Sequence, residues 1–146
     1  MEDNDIYEIL KFILIKIKDK KFTWRLEGSA NLKIQGIDIS VRDLDIATNK
    51  EGINIFRKLL REFIIEDYYK EEIKAESLIC SIINSEVEVL NRNPDDKGLN
   101  MFNKIKIIKW KELQIPILPL EYALEFYKII DKQDKVELIE NHLQKK

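Results

Sequence analysis

The spacing of hydrophobic residues changes repeatedly along this chain between the period of a helix and that of a strand, and this alternation limits the fold most strongly. Residues 4–19 have helical spacing, whereas FTWRLEG, which ends at Gly28, alternates as a strand does. SANLKIQG, residues 29–36, starts at a serine and stops at a glycine, which predicts a short helix. DLDIAT then predicts a second strand with Leu44 and Ile46 on one face, and KEGINIFRKLLREF predicts another helix.

The second half of the chain continues this mixed pattern. ESLICSIINSEVEVL contains two β-prone runs separated by Asn84 and Ser85, which is typical of a hairpin. Residues 91–103 are rich in Asn, Asp, Pro and Gly and predict a loop. KIKIIKW and QIPILP predict short strands, and two helices separated by DKQD follow Pro119. This order predicts an α+β fold, a small mixed β-sheet with helices packed on it and two C-terminal helices.

The length and composition of the chain indicate its class. At 146 residues it predicts a single domain, with a core at about residues 20–110 and a C-terminal helical part at about 119–145. The net charge of −2 gives no general attraction to nucleic acid or to an anionic membrane, so we expect neither as a partner. The single cysteine, Cys80, excludes an internal disulfide, and it indicates a reducing compartment, which we take to be the cytoplasm.

Six residues lie where the predicted elements would bring them together: Gly28 and Ser29 at a strand-to-helix turn, Asp43 and Asp45 on the next strand, and Glu86 and Glu88 on a later strand. Two carboxylates at i and i+2 on a strand are about 7 Å apart on one face and repel each other unless a cation lies between them. Mg²⁺ takes one or two carboxylates together with phosphate and water oxygens. A glycine lets a phosphate approach the backbone, whose N–H groups then hold it together with a serine hydroxyl. The pattern therefore predicts a phosphate clamp facing a metal clamp.

Each of these features also has an ordinary structural interpretation. Gly-Ser occurs at many turns, Asp-x-Asp on a strand can be a solvated face, and charges on a strand can protect a sheet edge from aggregation. Trp24 is expected in sheet packing, Phe126 and Tyr127 have the spacing of core residues, and Cys80 is expected to be buried. The only histidine, His142, lies on a polar terminal helix, which excludes a histidine-based triad.

At these residues the sequence resembles the nucleotidyltransferase superfamily related to DNA polymerase β, whose signature is Gly-Ser, a spacer and Asp-x-Asp. Here the signature reads Gly28-Ser29, thirteen residues, then Asp43-Leu44-Asp45, with a further carboxylate on a later strand. WRLEGSANLKIQG with RDLDI is most similar to small proteins of the lincosamide-adenylyltransferase and minimal-nucleotidyltransferase type. LPLEYALEFY with DKQDKVELI resembles their closing helices, so the resemblance covers roughly residues 20–145.

The resemblance implies an enzyme that transfers NMP from an NTP to a hydroxyl acceptor on a small molecule or partner protein and releases pyrophosphate. Asp43 and Asp45 would bind Mg²⁺, of which two ions are expected. Glu88 would bind the second ion and help to deprotonate the acceptor. We favour Glu88 over Glu86 because it lies deeper in its strand, whereas Glu86 lies against the turn.

The resemblance also implies how the triphosphate is held. Gly28 and Ser29 would hold the β- and γ-phosphates. Positive charge for the triphosphate would come from Arg42 or from a lysine near the C-terminal helices. The lysine candidates are Lys128, Lys132 and Lys135, of which we assign Lys132 as the phosphate contact.

Two other functions remain open. One is a non-catalytic module of the same fold that binds a nucleotide or a protein, for example as an antitoxin. Minimal antitoxin-like members usually continue Gly-Ser with Ala-Arg-Gly, whereas Ala30 is followed here by Asn31 and Leu32. The other is an RNA-modifying enzyme, which the absence of a basic stripe disfavours. Because only two short helices follow the core, we also predict a homodimer in which a second subunit completes the acceptor cleft.

Overall fold

The computed structural model describes residues 1–93 and 97–145, and its elements confirm the α+β class. The α-helices are α1 (Asp3–Ile17), α2 (Gly28–Ile34), α3 (Lys50–Leu59), α4 (Leu120–Ile129) and α5 (Gln133–Gln144). The strands are β1 (Trp24–Glu27), β2 (Leu44–Thr48), β3 (Ile64–Lys70), β4 (Ala75–Ile82), β5 (Ser85–Asn91), β6 (Lys106–Trp110) and β7 (Leu113–Ile117). Two short 3₁₀ helices, Arg61–Phe63 and Phe102–Lys104, precede β3 and β6.

The main sheet has five strands in the order β1-β2-β5-β4-β3. Only β2 and β5 pair in parallel, while the other three pairs are antiparallel. The parallel pair requires a crossover, which α3 and the two antiparallel strands after it provide. Strands β6 and β7 form a separate hairpin sheet. The mixed sheet that the hydrophobic pattern predicts is therefore confirmed.

One face of the main sheet is apolar and packs against α1 and α3. Leu26, Ile46 and Val89 lie on this face of their strands, and all three are fully buried in the main core. Trp24 joins this core and meets the ring of Phe56 edge to face, with the ring centroids 6.3 Å apart. Burial of each large apolar side chain contributes about 1.5–3 kcal/mol. The core therefore lies on one side of the sheet and leaves the polar side chains on the other.

A second cluster of buried apolar residues connects α2 to the C-terminal helices, through Leu32, Phe126 and Ile139. The buried side chain of Asn31 ties these parts together. Its amide donates a hydrogen bond to the Leu118 carbonyl at 3.0 Å, and the Leu118 N–H donates to its Oδ1 at 3.1 Å. Asn31 is thus a structural residue that sets the position of α4 relative to the turn before α2.

Strand β3 is an element that the hydrophobic pattern does not predict. It lies at the edge of the sheet, so most of its side chains are exposed and the alternation of apolar and polar residues is lost. The predicted hairpin turn at Asn84 and Ser85 is wrong by one residue: the turn residues are Ile83 and Asn84, both with positive φ, and Ser85 already belongs to β5. Of the predicted loop at residues 91–103, residues 94–96 lie outside the described residues.

Across the described part of the chain, no helix has the length and apolar character needed to traverse a membrane.

Candidate active site

Three carboxylates lie in a row across the polar face of the main sheet. Asp45 on β2 is in register with Glu27 on one side and with Glu88 on the other. Neighbouring strands are about 4.8 Å apart, and residues in register point to the same face. Asp43 precedes β2 and lies two residues from Asp45. The strand pairing therefore concentrates negative charge at one place on the sheet.

Glu27, at one end of the row, lies between two arginines. Its Oε1 accepts a hydrogen bond from Arg25 at 3.1 Å, and its Oε2 accepts one from Arg92 at 2.7 Å. Burial would raise the pKa of Glu27, but the charges of Arg92 and Arg25 outweigh it and hold the pKa below its ordinary value. Arg25 is fully buried and also donates to the Leu99 and Asn100 carbonyls. Glu27 is therefore ionised and compensated by protein charges.

Glu88, at the other end, is held by groups from the adjacent strand β4 and from β3, the next strand beyond it. Its Oε2 accepts hydrogen bonds from Lys70 Nζ on β3 and from the Ser77 hydroxyl on β4, both at 2.7 Å. Burial would lower the pKa of Lys70, but the hydrogen bond and charge of Glu88 raise it. Lys70 is therefore an ammonium ion at neutral pH, and it compensates the charge of Glu88.

Asp45, in the middle of the row, has no such compensation. In the described ranges its carboxylate forms no hydrogen bond and no ion pair. Burial, and then the charges of Glu27, Glu88 and Asp43, raise the pKa of Asp45 to about 7. The row thus has protein cations at both ends and none at its centre, so a bound cation would relieve the repulsion at Asp45.

Gly28 follows Glu27 directly, at the point where β1 becomes α2, and has a φ of +69°. A Cβ atom at this position would touch the Asp45 carboxylate, meeting Oδ2 and lying only 3.3 Å from Cγ. The turn therefore requires glycine for its backbone conformation and for its close approach to Asp45. Ser29, the next residue, lines both of the clefts that adjoin this turn.

Two adjoining clefts open beside these residues. One has a volume of about 380 Å³ and is lined by Ser29, Ser40, Arg42, Asp43, Asp45 and Lys135. The other has a volume of about 230 Å³, and its lining adds Gly28, Arg92, Phe126 and Tyr127. Together they have the size of an ordinary small-ligand site. Lys135 on α5 lines both clefts, whereas the other two lysine candidates, Lys128 and Lys132, line neither.

The structure thus brings together most of the predicted site. Gly28, Ser29, Arg42, Asp43 and Asp45 surround the two clefts. Glu88 is next to Asp45 on the sheet but lies outside both linings, and so does Lys132, which is exposed at the N-cap of α5. Glu86 is exposed and pairs with Ser81 near the hairpin turn.

Sequence reasoning missed Glu27, Arg92 and Lys70. The sequence did contain a signal for Glu27. Arg25 and Glu27 are two residues apart on a predicted strand that ends at a glycine, so they share a face of that strand, as Asp43 and Asp45 were predicted to do. The sequence contained no such signal for Arg92, which lies in a predicted loop, or for Lys70, which lies on the edge strand β3 that was not predicted. Phe126 and Tyr127 are buried as predicted, and they also form one wall of the smaller cleft.

Comparison with known proteins identifies the fold. No protein-family model matches the sequence, and no curated protein sequence matches it significantly. A Thermotoga maritima protein provisionally assigned as a nucleotidyltransferase is similar in structure, with a TM-score of 0.78 and 22% identity over 100% of this chain and 97% of that one.

Two further solved structures have a TM-score of 0.61 to this chain. The lincosamide antibiotic adenylyltransferase LnuA, bound to lincomycin, is 15% identical over 91% of this chain and 95% of its own. The antibiotic-resistance factor ANT(2″)-Ia, in complex with adenylyl-2″-tobramycin, is 9% identical over 93% of this chain and 88% of its own. The chain therefore has the nucleotidyltransferase-like α+β fold, which confirms the fold that the resemblance of its motifs implies.

Proposed function

We propose that the protein is a Mg²⁺-dependent nucleotidyltransferase that moves NMP from an NTP to a hydroxyl acceptor. The observation that carries the proposal is the position of Asp45, a carboxylate that no protein cation contacts, against the glycine turn at Gly28 and beside an open cleft. The similar structures support it, because lincosamide adenylyltransferase and a factor bound to an adenylylated product share this fold.

The donor set fits one magnesium ion. Among the described residues, no three His, Cys, Asp or Glu side chains are grouped so as to hold a metal ion. Asp43 and Asp45 lie together in the larger cleft, and a pair of carboxylates completed by phosphate and water is the usual environment of Mg²⁺. When bound there, Mg²⁺ would supply positive charge to the triphosphate oxygens and to the leaving pyrophosphate.

The residues around the cleft would orient the NTP. The backbone N–H groups after Gly28 and the Ser29 hydroxyl would donate hydrogen bonds to phosphate oxygens. Arg42 and Lys135, which line the same cleft, would offset the remaining charge of the triphosphate. Lys132 stays a predicted contact on the same helix. Such fixed charges favour the transition state because they need no rearrangement during the reaction.

The transfer itself requires one proton acceptor. The hydroxyl oxygen of the acceptor would attack the α-phosphorus, and the bond from that phosphorus to the bridging α,β-oxygen would break. Pyrophosphate leaves with the bonding electrons. The hydroxyl proton would pass to Glu88, whose Oε1 is not used by Lys70 or Ser77.

Transfer of a labelled nucleotide tests the proposal and identifies the acceptor class. The protein is incubated with Mg²⁺, each α-labelled NTP and a cell extract, and label is then sought in small molecules, protein and RNA. We expect label in small molecules or protein with the wild type and none with Asp45→Asn. Label in RNA would show a different acceptor, and the absence of label with every NTP would contradict the proposal.

A non-catalytic nucleotide-binding module is the second candidate. The observation that favours it is the pairing of Glu88 with Lys70 and Ser77, which occupies the expected third carboxylate. Such a module would bind an NTP with Mg²⁺ but release no pyrophosphate. A coupled pyrophosphate assay on the wild type, in parallel with the labelling, separates the two candidates.

A further inference from the structure

We propose that Lys70 takes the place of a second divalent cation, so that the site binds one metal ion, at Asp43 and Asp45, rather than two. This inference rests on the proposed function, and it concerns the charge that acts on Glu88. A second ion in such a site would need Glu88 as a ligand, because Glu27 is already bound by two arginines.

The contacts of Glu88 are those of a completed ion pair. The Lys70 ammonium lies 2.7 Å from Oε2, and the Ser77 hydroxyl donates to the same oxygen at 2.7 Å. Both side chains of the pair are shielded from solvent, with 27% of Lys70 and 15% of Glu88 exposed. A hydrogen-bonded pair at this depth is screened less by water and salt than a surface pair.

The strand order explains why Lys70 reaches this position. It is the last residue of β3, in register with Ala75 on β4, and it lies on the same polar face as Ser77 and Glu88. Its long side chain extends across β4 to reach Glu88 on β5, and Ala75 and Ser77 of β4 are small residues on the same face. The position belongs to the sheet itself rather than to a mobile loop, so the ammonium is part of the folded site.

Electrostatics then argue against a second ion at Glu88. A divalent cation on Oε1 would lie close to the ammonium on Oε2, and like charges at such a separation repel strongly at low dielectric. The carboxylate has one negative charge, which the ammonium already offsets. Asp43 and Asp45 supply two carboxylates that form no ion pair among the described residues, so a first ion is favoured there.

Manganese spectroscopy tests this inference directly. The protein is held in excess over α,β-methylene ATP, which cannot release pyrophosphate, and is titrated with Mn²⁺ while the electron paramagnetic resonance spectrum is recorded. Two Mn²⁺ ions about 3.5–4 Å apart give a spin-coupled spectrum, whereas a single ion gives an uncoupled six-line spectrum. We expect one uncoupled Mn²⁺ for each bound nucleotide in the wild type.

Substitutions of Lys70 supply the second part of the test. Lys70→Gln removes the ammonium and is expected to give two coupled ions, while Lys70→Arg keeps the charge and is expected to give one. Lys74→Gln removes an exposed lysine between β3 and β4 and should behave as the wild type.

The outcomes separate this inference from the proposed function. A coupled two-ion spectrum in the wild type would overturn the inference and leave the proposed function standing, and this result does not depend on any variant folding. One ion in both the wild type and Lys70→Gln would show that Lys70 does not exclude the second ion. Wild-type protein that binds no Mn²⁺ with the nucleotide would instead overturn the proposed function.

Discussion

Replacement of Asp45 by asparagine is expected to stabilise the folded protein although it removes a proposed metal ligand. Burial and the charges of Glu27, Glu88 and Asp43 raise the pKa of Asp45 to about 7 from an ordinary value of 3.8. Each pKa unit between the folded and unfolded chain corresponds to about 1.36 kcal/mol, so the ionised carboxylate costs the folded state up to about 4 kcal/mol. Asparagine has nearly the same shape and no charge, and it removes this cost.

The direction of the pKa shift determines how the effect depends on pH. Well below pH 3.8 the Asp45 side chain is protonated in both the folded and the unfolded chain and costs nothing. As the pH rises towards about 7, the unfolded chain releases the proton before the folded chain does, and stability is lost. The loss is complete above the folded pKa, so the advantage of Asp45→Asn is small in acid and largest in base.

Urea unfolding at pH 5 and pH 8, in buffer free of divalent ions, measures this advantage. We expect the free energy of unfolding of Asp45→Asn to exceed that of the wild type by about 2–4 kcal/mol at pH 8, and by less at pH 5. Asp38→Asn, at an exposed carboxylate, is the control and should change the free energy by less than about 0.5 kcal/mol at both pH values. Added Mg²⁺ should stabilise the wild type and narrow the difference at pH 8, because the ion binds only the folded site.

The reasoning would be refuted if Asp45→Asn were no more stable than the wild type at pH 8. In that case the neighbouring carboxylates do not act on Asp45 as their register across the sheet implies.

Three other predictions concern the turn, the buried ion pair and the oligomeric state. Gly28→Ala and Gly98→Ala both place a side chain at positive φ, which costs about 1–2 kcal/mol, but only the new methyl group at position 28 meets a carboxylate. Urea unfolding should therefore show a larger loss of unfolding free energy for Gly28→Ala. An equal loss for the two variants would contradict the contact with Asp45. Arg92→Met leaves the buried Glu27 with one arginine and should lower the free energy of unfolding by about 3–5 kcal/mol. Arg57→Met breaks only partly exposed ion pairs and should lower it by about 1 kcal/mol or less. Similar losses for the two variants in urea unfolding would argue against a buried pair of Arg92 and Glu27. Sedimentation equilibrium should detect a homodimer, and a monomer at micromolar concentration would exclude a cleft completed by a second subunit.

Much of the fold could be predicted from the sequence because the core strands are amphipathic. Leu44 and Ile46 face the core and Asp45 faces away, as strand periodicity requires, and this alternation placed β2 and its carboxylate correctly. Strand β3 could not be predicted in the same way. At the edge of the sheet most of its side chains are exposed and none is fully buried, so burial does little to shape their order.

The candidate site was predictable only where its residues are close in sequence. Gly28 and Ser29 lie on one turn, and Asp43 directly precedes β2, on which Asp45 is the second residue, so local geometry alone brings each pair together. The cations of the site come from distant segments, since Arg92 binds Glu27 across 65 residues and Lys70 binds Glu88 across 18. Strand order decides such contacts, and the order β1-β2-β5-β4-β3 is a property of the whole sheet that no single motif encodes.

Isothermal titration calorimetry of ATP and GTP binding, with and without Mg²⁺, tests the central claim of a metal-dependent nucleotide site most directly. We predict that the wild type binds at least one of the two nucleotides in the presence of Mg²⁺ and loses that affinity in EDTA. A folded variant with both Asp43→Asn and Asp45→Asn should show no Mg²⁺-dependent binding. Wild-type protein whose nucleotide affinity is absent, or is the same with Mg²⁺ and with EDTA, would contradict the claim.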